Sequence, residues 1–174
     1  MLNNMEEGLT MGIRNSAKAV IIDKGQVLVN KHINTLGEMY YGLPDGAEYY
    51  DLPGGGQHQY ETLEQAVTRE CLEETGYTVK VERLLAVYEE ISLNKDFRSY
   101  YEQYAHIVYF VFLCSLKDTE RQPYTELDID MVEAQWVDIN KISEMPVYPR
   151  IIGSSLISLL ESENPQFLGS DYAD

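Results

Sequence analysis

Apolar and polar positions along the chain sort into short β-prone runs and two stretches of helical period. Ala17 to Ile22 and Gln26 to Lys31 are β-prone, and Asp23-Lys24-Gly25 between them has the chemistry of a hairpin turn. Asn34 to Ala47 has no period and reads as a loop. Tyr49-Tyr50-Asp51-Leu52 then runs into Pro53-Gly54-Gly55-Gly56, where glycine permits unusual φ and close approach of the backbone to a bound group. Thr62-Leu63-Glu64-Gln65 has the form of a capping box and Gly76 suits a left-handed stop, so a helix of about fourteen residues is expected between them. Thr78 to Ile91 is β-prone, and His106 to Leu116 is apolar on both alternating sets of positions, the pattern of a strand covered on both faces. Met131 to Ile139, with Trp136, reads as a further strand. Pro149 suits the first turn of a last helix, in which Ile152, Leu156, Leu159 and Leu160 recur at helical spacing. Strands with one helix between them and another at the end predict an α/β/α layered domain over residues 16–161. A polar, aperiodic leader at 1–15 and a loosely held acidic polar tail at 162–174 are expected to flank it.

The first helix is unusual in what it turns inward. At about 100° per residue, with Leu63 as origin, Ala66 falls at about 300° and Val67 at about 40°, which marks the packing face. Glu70 at about 340°, Glu73 at about 280° and Glu74 at about 20° share that arc. An acidic helical run normally faces water, and the wheel contradicts that reading here. Carboxylates gathered where they cannot all be solvated must raise their pKa values or find a cation. Hard oxygen donors on one face suit Mg²⁺ or Mn²⁺.

Composition narrows the function further. A chain of 174 residues with 44% hydrophobic content buries a core as a single unit. Its 29 acidic residues against 13 basic ones give a net charge of −16, and no basic stripe is present to follow a nucleic-acid backbone. An anionic phosphate substrate would need this field offset, and divalent metal is the natural means. Cys71 and Cys114 are too few for a disulfide framework or a zinc site and read as small core residues. No apolar run marks a membrane span or a secretory signal, so a cytoplasmic protein with neither membrane nor nucleic-acid polymer as partner is expected.

Gly55, Glu61, Arg69-Glu70, Glu73-Glu74 and Gly76 stand at fixed offsets that chance would supply with odds on the order of 10⁻⁶ to 10⁻⁵. The segment from Gly55 to Tyr77 resembles the Nudix box of the MutT-like Nudix hydrolases. The order of elements extends the likeness from Ser16 to Leu160. Cys71 and Tyr77 stand where an aliphatic residue is usual, and His58 and Tyr60 where many relatives have Glu and Gly. The resemblance implies a Nudix-type α/β/α sandwich with a mixed β-sheet. It also implies a divalent-metal-dependent hydrolase that cleaves the pyrophosphate linkage of a nucleoside diphosphate derivative by water attack on phosphorus.

Carried over position by position, the resemblance makes Glu70 and Glu74 the main metal ligands, with Glu73 a third and the Gly55 carbonyl a fourth. Arg69 would pair with Glu61 to fix the loop against the helix, and Glu73 and Glu74 would share in catalysis. Three glutamates committed to metal leave little basicity for activating water, so a carboxylate outside the helix is expected. Glu120 and Glu126, in the polar stretch Lys117 to Asp130, are favoured over Glu102 and Glu133; the alternative is that Glu73 suffices. His58 is the one histidine inside the motif and a candidate for touching substrate, whereas His32 and His106 read as structural. The 14 tyrosines fit half-buried strand positions and a homodimer surface, with base stacking as the alternative. A catalytically silent nucleotide-binding module would be expected to have lost a metal carboxylate, and this chain keeps them all. An isomerase on the same fold would call for a Cys and Glu pair in the pocket, a signal Cys114 does not give.

Overall fold

Lys24 and Gly25 both take positive φ, 48° and 78°, and this primed turn folds strand β1 (Arg14–Asp23) back onto β2 (Gln26–Ile33). The computed structural model describes residues 12–39, 42–123 and 130–173. After the hairpin come β3 (Glu48–Asp51), β4 (Gly54–Gly56), helix α1 (Leu63–Thr75), β5 (Val79–Ser92), the short helix α2 (Lys95–Tyr100), β6 (His106–Leu116), β7 (Met131–Asp138), α3 (Arg150–Glu161) and β8 (Gln166–Ala173).

The two hairpin strands pair only at Ile22–Val27 and Asp23–Gln26 and then part. Each leads its own half of the sheet. β1 runs parallel to β6, which pairs antiparallel with β5, and β4 lies antiparallel to β1. β2 sits between β3 and β7, antiparallel to both. The result is an eight-stranded mixed sheet that opens along the line between β1 and β2.

One helix covers each face. On the first, Ala66, Val67 and Cys71 of α1 pack with Ala17, Ala19, Ile21, Leu28, Phe112 and Ala134. On the second, Ile152, Leu156 and Leu159 of α3 pack with Val20, Val27, Val29, Leu85 and Val111. Burying each large aliphatic side chain contributes roughly 1.5–3 kcal/mol, so the two layers hold the sheet from both sides. This is the α/β/α sandwich with a mixed sheet that the sequence predicts. β6 divides its side chains between the two cores, Ile107, Tyr109 and Val111 to one and Phe112 and Cys114 to the other, as its two-sided apolar pattern requires.

The first helix is built as its ends predict. Thr62 accepts from the Gln65 amide at 3.1 Å while the Gln65 side chain accepts from the Thr62 amide at 2.8 Å, and Gly76 closes the helix at φ 73°. The limits expected for the domain differ from the structure at both ends. β1 begins at Arg14, paired with Ile107, inside the expected leader. Much of the expected tail forms β8, parallel to β5 from Gln166 to Ala173. Its described side chains are mostly exposed, with Leu168 among them reaching the core, so backbone hydrogen bonds and not an apolar pattern place it. Pro149 stands just before α3 and not inside its first turn. No helix among the described residues is long and apolar enough to cross a membrane.

Candidate functional site

α1 lies across the mouth of the opened sheet, in contact with β1, β4 and β5 on one side and β7 on the other. Its acidic face meets the glycine run. Gly54 takes φ 126°, where its missing Cβ leaves room for the Ala17 carbonyl. A Cβ on Gly55 would sit 2.6 Å from the Glu70 carboxylate, so glycine there lets the backbone and that carboxylate touch.

Arg69 organises the solvent side. Its Nε and Nη2 grip both oxygens of Glu61 at 2.9 and 3.0 Å, Nη1 donates to Glu70 at 2.9 Å and Glu73 at 3.0 Å, and Nη2 reaches the Gly56 carbonyl at 3.0 Å. Glu61 also accepts from the His58 amide at 3.0 Å. The Arg69 hydrogen bonds, with this amide, hold the Glu61 carboxyl down to about 2 against the opposing effect of burial. Hydrogen bonding to Glu61 above all raises the Arg69 guanidinium still further from neutrality. The pairing of Arg69 with Glu61 is therefore as anticipated, and the same guanidinium also bridges Glu70 and Glu73 of the helix.

Glu74 faces the other way. It is 5% exposed, and its Oε2 accepts from the Gly54 amide at 2.9 Å and from Asn30 Nδ2 at 2.8 Å. Asn30 is fully buried, and its Oδ1 has no hydrogen-bond partner among the described residues. Arg69 thus gathers Glu70 and Glu73 on one side while Glu74 is held on the other, and the three carboxylates do not meet at one point. Behind Glu74 lies a second charged group. Lys18 Nζ bonds Asp51 Oδ2 at 2.6 Å and the Gly54 carbonyl, and Asp51 Oδ1 lies 3.0 Å from His32 Nε2, whose ring stacks on Tyr49. Burial pushes the Asp51 carboxyl up, yet Lys18 and His32 outweigh it and hold the group below its ordinary value. Asn30, Lys18 and Asp51 were not among the residues the sequence singles out. The available signal was a polar residue interrupting an apolar strand, Lys18 in β1 and Asn30 in β2.

The remaining candidates are dispersed. The His58 side chain is exposed, and its backbone is what touches Glu61. Glu120 is exposed in a segment tied to the end of α1 by Arg121 Nε to the Thr75 carbonyl, 2.7 Å, and the Gln122 amide to the Gly76 carbonyl, 2.9 Å. Glu126 lies outside the described residues. Glu102 is exposed beside a cavity of about 380 Å³ at the end of the sheet, lined by Ile13, Ile91, Arg98 and His106. Glu133 is exposed on β7 opposite Lys31, so strand alternation turns it to the face opposite Asn30. His106 pairs with Glu89 at 2.8 Å. Cys71 and Cys114 are free and buried, and burial raises both thiols, Cys114 to about 12.

The donor set can be tested against a metal. Among the described residues no three His, Cys, Asp or Glu side chains converge into a closed metal-binding group. The Glu70 carboxylate against Gly55, with Glu73 and Glu74 on the same helix, offers an open, hard set instead. That suits Mg²⁺ or Mn²⁺, which take one or two carboxylates and complete their shell with water and substrate phosphate. The contact between Gly55 and Glu70, which a Cβ would fill, leaves the carboxylate against the glycine backbone and supports the fit.

Comparison with known proteins agrees with this architecture. An ADP-ribose pyrophosphatase of Methanocaldococcus jannaschii is 34% identical over 96 residues, 55% of this chain and 50% of that protein. The likeness therefore spans about half the length of that relative. A Nudix hydrolase from Nitrosomonas europaea matches with a TM-score of 0.64 at 22% identity, covering 92% of this chain and 80% of that one. An ADP-ribose pyrophosphatase from Streptococcus suis matches with a TM-score of 0.58 at 20% identity, covering 90% and 99%. At those identities the structures share the fold. The NUDIX domain model matches residues 12–153, from just before β1 into α3. Because that match takes in both halves of the sheet and the helix laid between them, the chain belongs to the Nudix family.

Proposed function

We propose that the protein is a divalent-metal-dependent hydrolase that cleaves the pyrophosphate linkage of a nucleoside diphosphate derivative by water attack on phosphorus. The observation that carries this reading is the acidic face of α1 held against Gly55, with Arg69 pinning the loop through Glu61. Glu70 and Glu74, with Glu73 and the Gly55 carbonyl, would hold Mg²⁺ or Mn²⁺, which when bound offsets the diphosphate charge and acidifies water. Arg69 holds Glu70 and Glu73 in place by donating to both. The attacking water must lose a proton, and Glu120 or Glu126 is assigned that task, because the segment around Glu120 is anchored beside the end of α1. Glu102 and Glu133 lie in less suitable places, and His58 is free to meet the substrate from the loop.

The names of the M. jannaschii and S. suis proteins make ADP-ribose the first substrate to test. Dinucleotides, nucleotide sugars and nucleoside triphosphates, each with Mg²⁺ or Mn²⁺, complete the screen. Hydrolysis in ¹⁸O-labelled water should place label on a phosphate product and none on sugar carbon. Gln at Glu120 or Glu126 should lower kcat by about 10²–10⁴-fold. Tight nucleotide binding with no turnover of any of these compounds would instead identify a silent binding module.

A further inference from the structure

We propose that Lys18 is a positioning residue of this site: its ammonium, held between the Asp51 carboxylate and the Gly54 carbonyl, fixes Gly54, the residue whose amide orients Glu74. The inference rests on the reading of Glu74 as a metal-holding carboxylate.

Lys18 is out of place on stability grounds alone. Its neighbours Ala17, Ala19, Val20 and Ile21 are fully buried, and Lys18 itself is 9% exposed. Burying an ammonium costs several kcal/mol, and a well-packed apolar pair in place of a buried ion pair is often as stable or more so. A cation kept there suggests a task that an apolar side chain cannot perform.

The geometry supplies the task. β1 and β2 part beyond their hairpin, and Glu74 reaches into the gap. A single oxygen of Glu74 is held from both sides, by the Gly54 amide on the half led by β1 and by Asn30 on the half led by β2. Lys18 spans the same gap. It stands opposite Gly54 in the β1–β4 register, and its partner Asp51 stands opposite Asn30 in the β2–β3 register. The ammonium therefore ties together the two backbone segments that carry the donors to Glu74. It also takes the Gly54 carbonyl, so the residue whose amide faces Glu74 is gripped at its other end. Glycine at this position has no side chain to restrain it, and at φ 126° it depends on such contacts for its orientation.

The test compares the wild type with Lys18→Met and with Lys18→Met/Asp51→Asn, which removes both charges and keeps a partner for His32. Three quantities are read: the melting temperature without metal, Mn²⁺ affinity by electron paramagnetic resonance without substrate, and the ratio of amide hydrogen exchange at Gly54 to that at Ser92. Ser92 donates to the Ala105 carbonyl, away from this loop, and serves as the internal control. Lys18→Met should lose stability by stranding Asp51, and the double variant should regain it. Mn²⁺ affinity should nevertheless stay about 10–100-fold below wild type in the double variant, as on loss of a group that orients a ligand. The Gly54 exchange ratio should rise by about fivefold. If stability, Mn²⁺ affinity and the exchange ratio all return together, Lys18 serves folding alone and the proposal is wrong. Should the double variant not fold, Lys18→Gln, too short to reach both acceptors, replaces it, and an unchanged exchange ratio there is equally fatal. A wild type that binds no Mn²⁺ would defeat the functional reading, and the exchange ratio would then decide the role of Lys18 alone.

Discussion

Glu61→Gln isolates one carboxylate whose dependence on pH follows from its surroundings. Arg69 donates to both of its oxygens and the His58 amide donates to one, and these bonds hold the carboxyl at about 2 against an ordinary 4.5. At about 1.4 kcal/mol per pH unit that gap is at most roughly 3 kcal/mol. The Glu61 and Arg69 side chains are 14% and 24% exposed, and solvent screening reduces the figure to about 1–2 kcal/mol. The folded pKa lies below the unfolded one. The stabilisation is therefore complete above pH 4.5 and drains away as pH falls towards 2. Glu61→Gln should destabilise the metal-free protein by about 1–2 kcal/mol at pH 7 and by less than half of that at pH 3. Urea unfolding of both proteins at pH 7, 5 and 3 measures the difference, and titration of the carboxylates they share cancels. A loss as large at pH 3 as at pH 7 would show that Glu61 contributes shape and not charge, and the account of Arg69 as the anchor of the loop would fall.

Gly55→Ala places a Cβ 2.6 Å from the Glu70 carboxylate, so kcat should fall by about 10²-fold from that displacement, and wild-type turnover would remove Glu70 from the site. Glu74→Gln keeps an acceptor for Gly54 and Asn30 while removing the charge; the metal-free protein should melt near the wild-type temperature while Mn²⁺ binding drops by at least about tenfold. Leu156→Ala should cost about 2–5 kcal/mol, since Leu156 is 1% exposed at the centre of the α3 layer, and a loss near zero in urea unfolding would mean that the layer is loosely packed. Cys71 and Cys114 should resist thiol reagents at pH 8 until the protein unfolds, because burial raises both; rapid labelling of the native protein would contradict the packing of α1 on the sheet.

What could be read from the sequence was everything written within a few residues or in a period. The capping box at Thr62 and Gln65, the left-handed stop at Gly76, the hairpin at Lys24-Gly25 and the two apolar helix faces are all local, and each appears in the structure. The grouping of Glu70, Glu73 and Glu74 on neighbouring positions of the helix surface is local as well, because 3.6 residues per turn decide it. Tertiary structure decided the rest. β8 is held by backbone bonds along β5, and backbone bonds have no side-chain signature, so residues 166–173 look like a tail. Arg69 could be matched with Glu61 by likeness, but its division among Glu61, Glu70 and Glu73 depends on where the loop returns to the helix. Lys18, Asn30 and Asp51 are separated along the chain, and Asn30 reaches Glu74 while Lys18 reaches Asp51 only because the hairpin strands separate and open a gap. A lone polar residue in an apolar strand announces that it needs a partner when buried, and only the folded chain names which one.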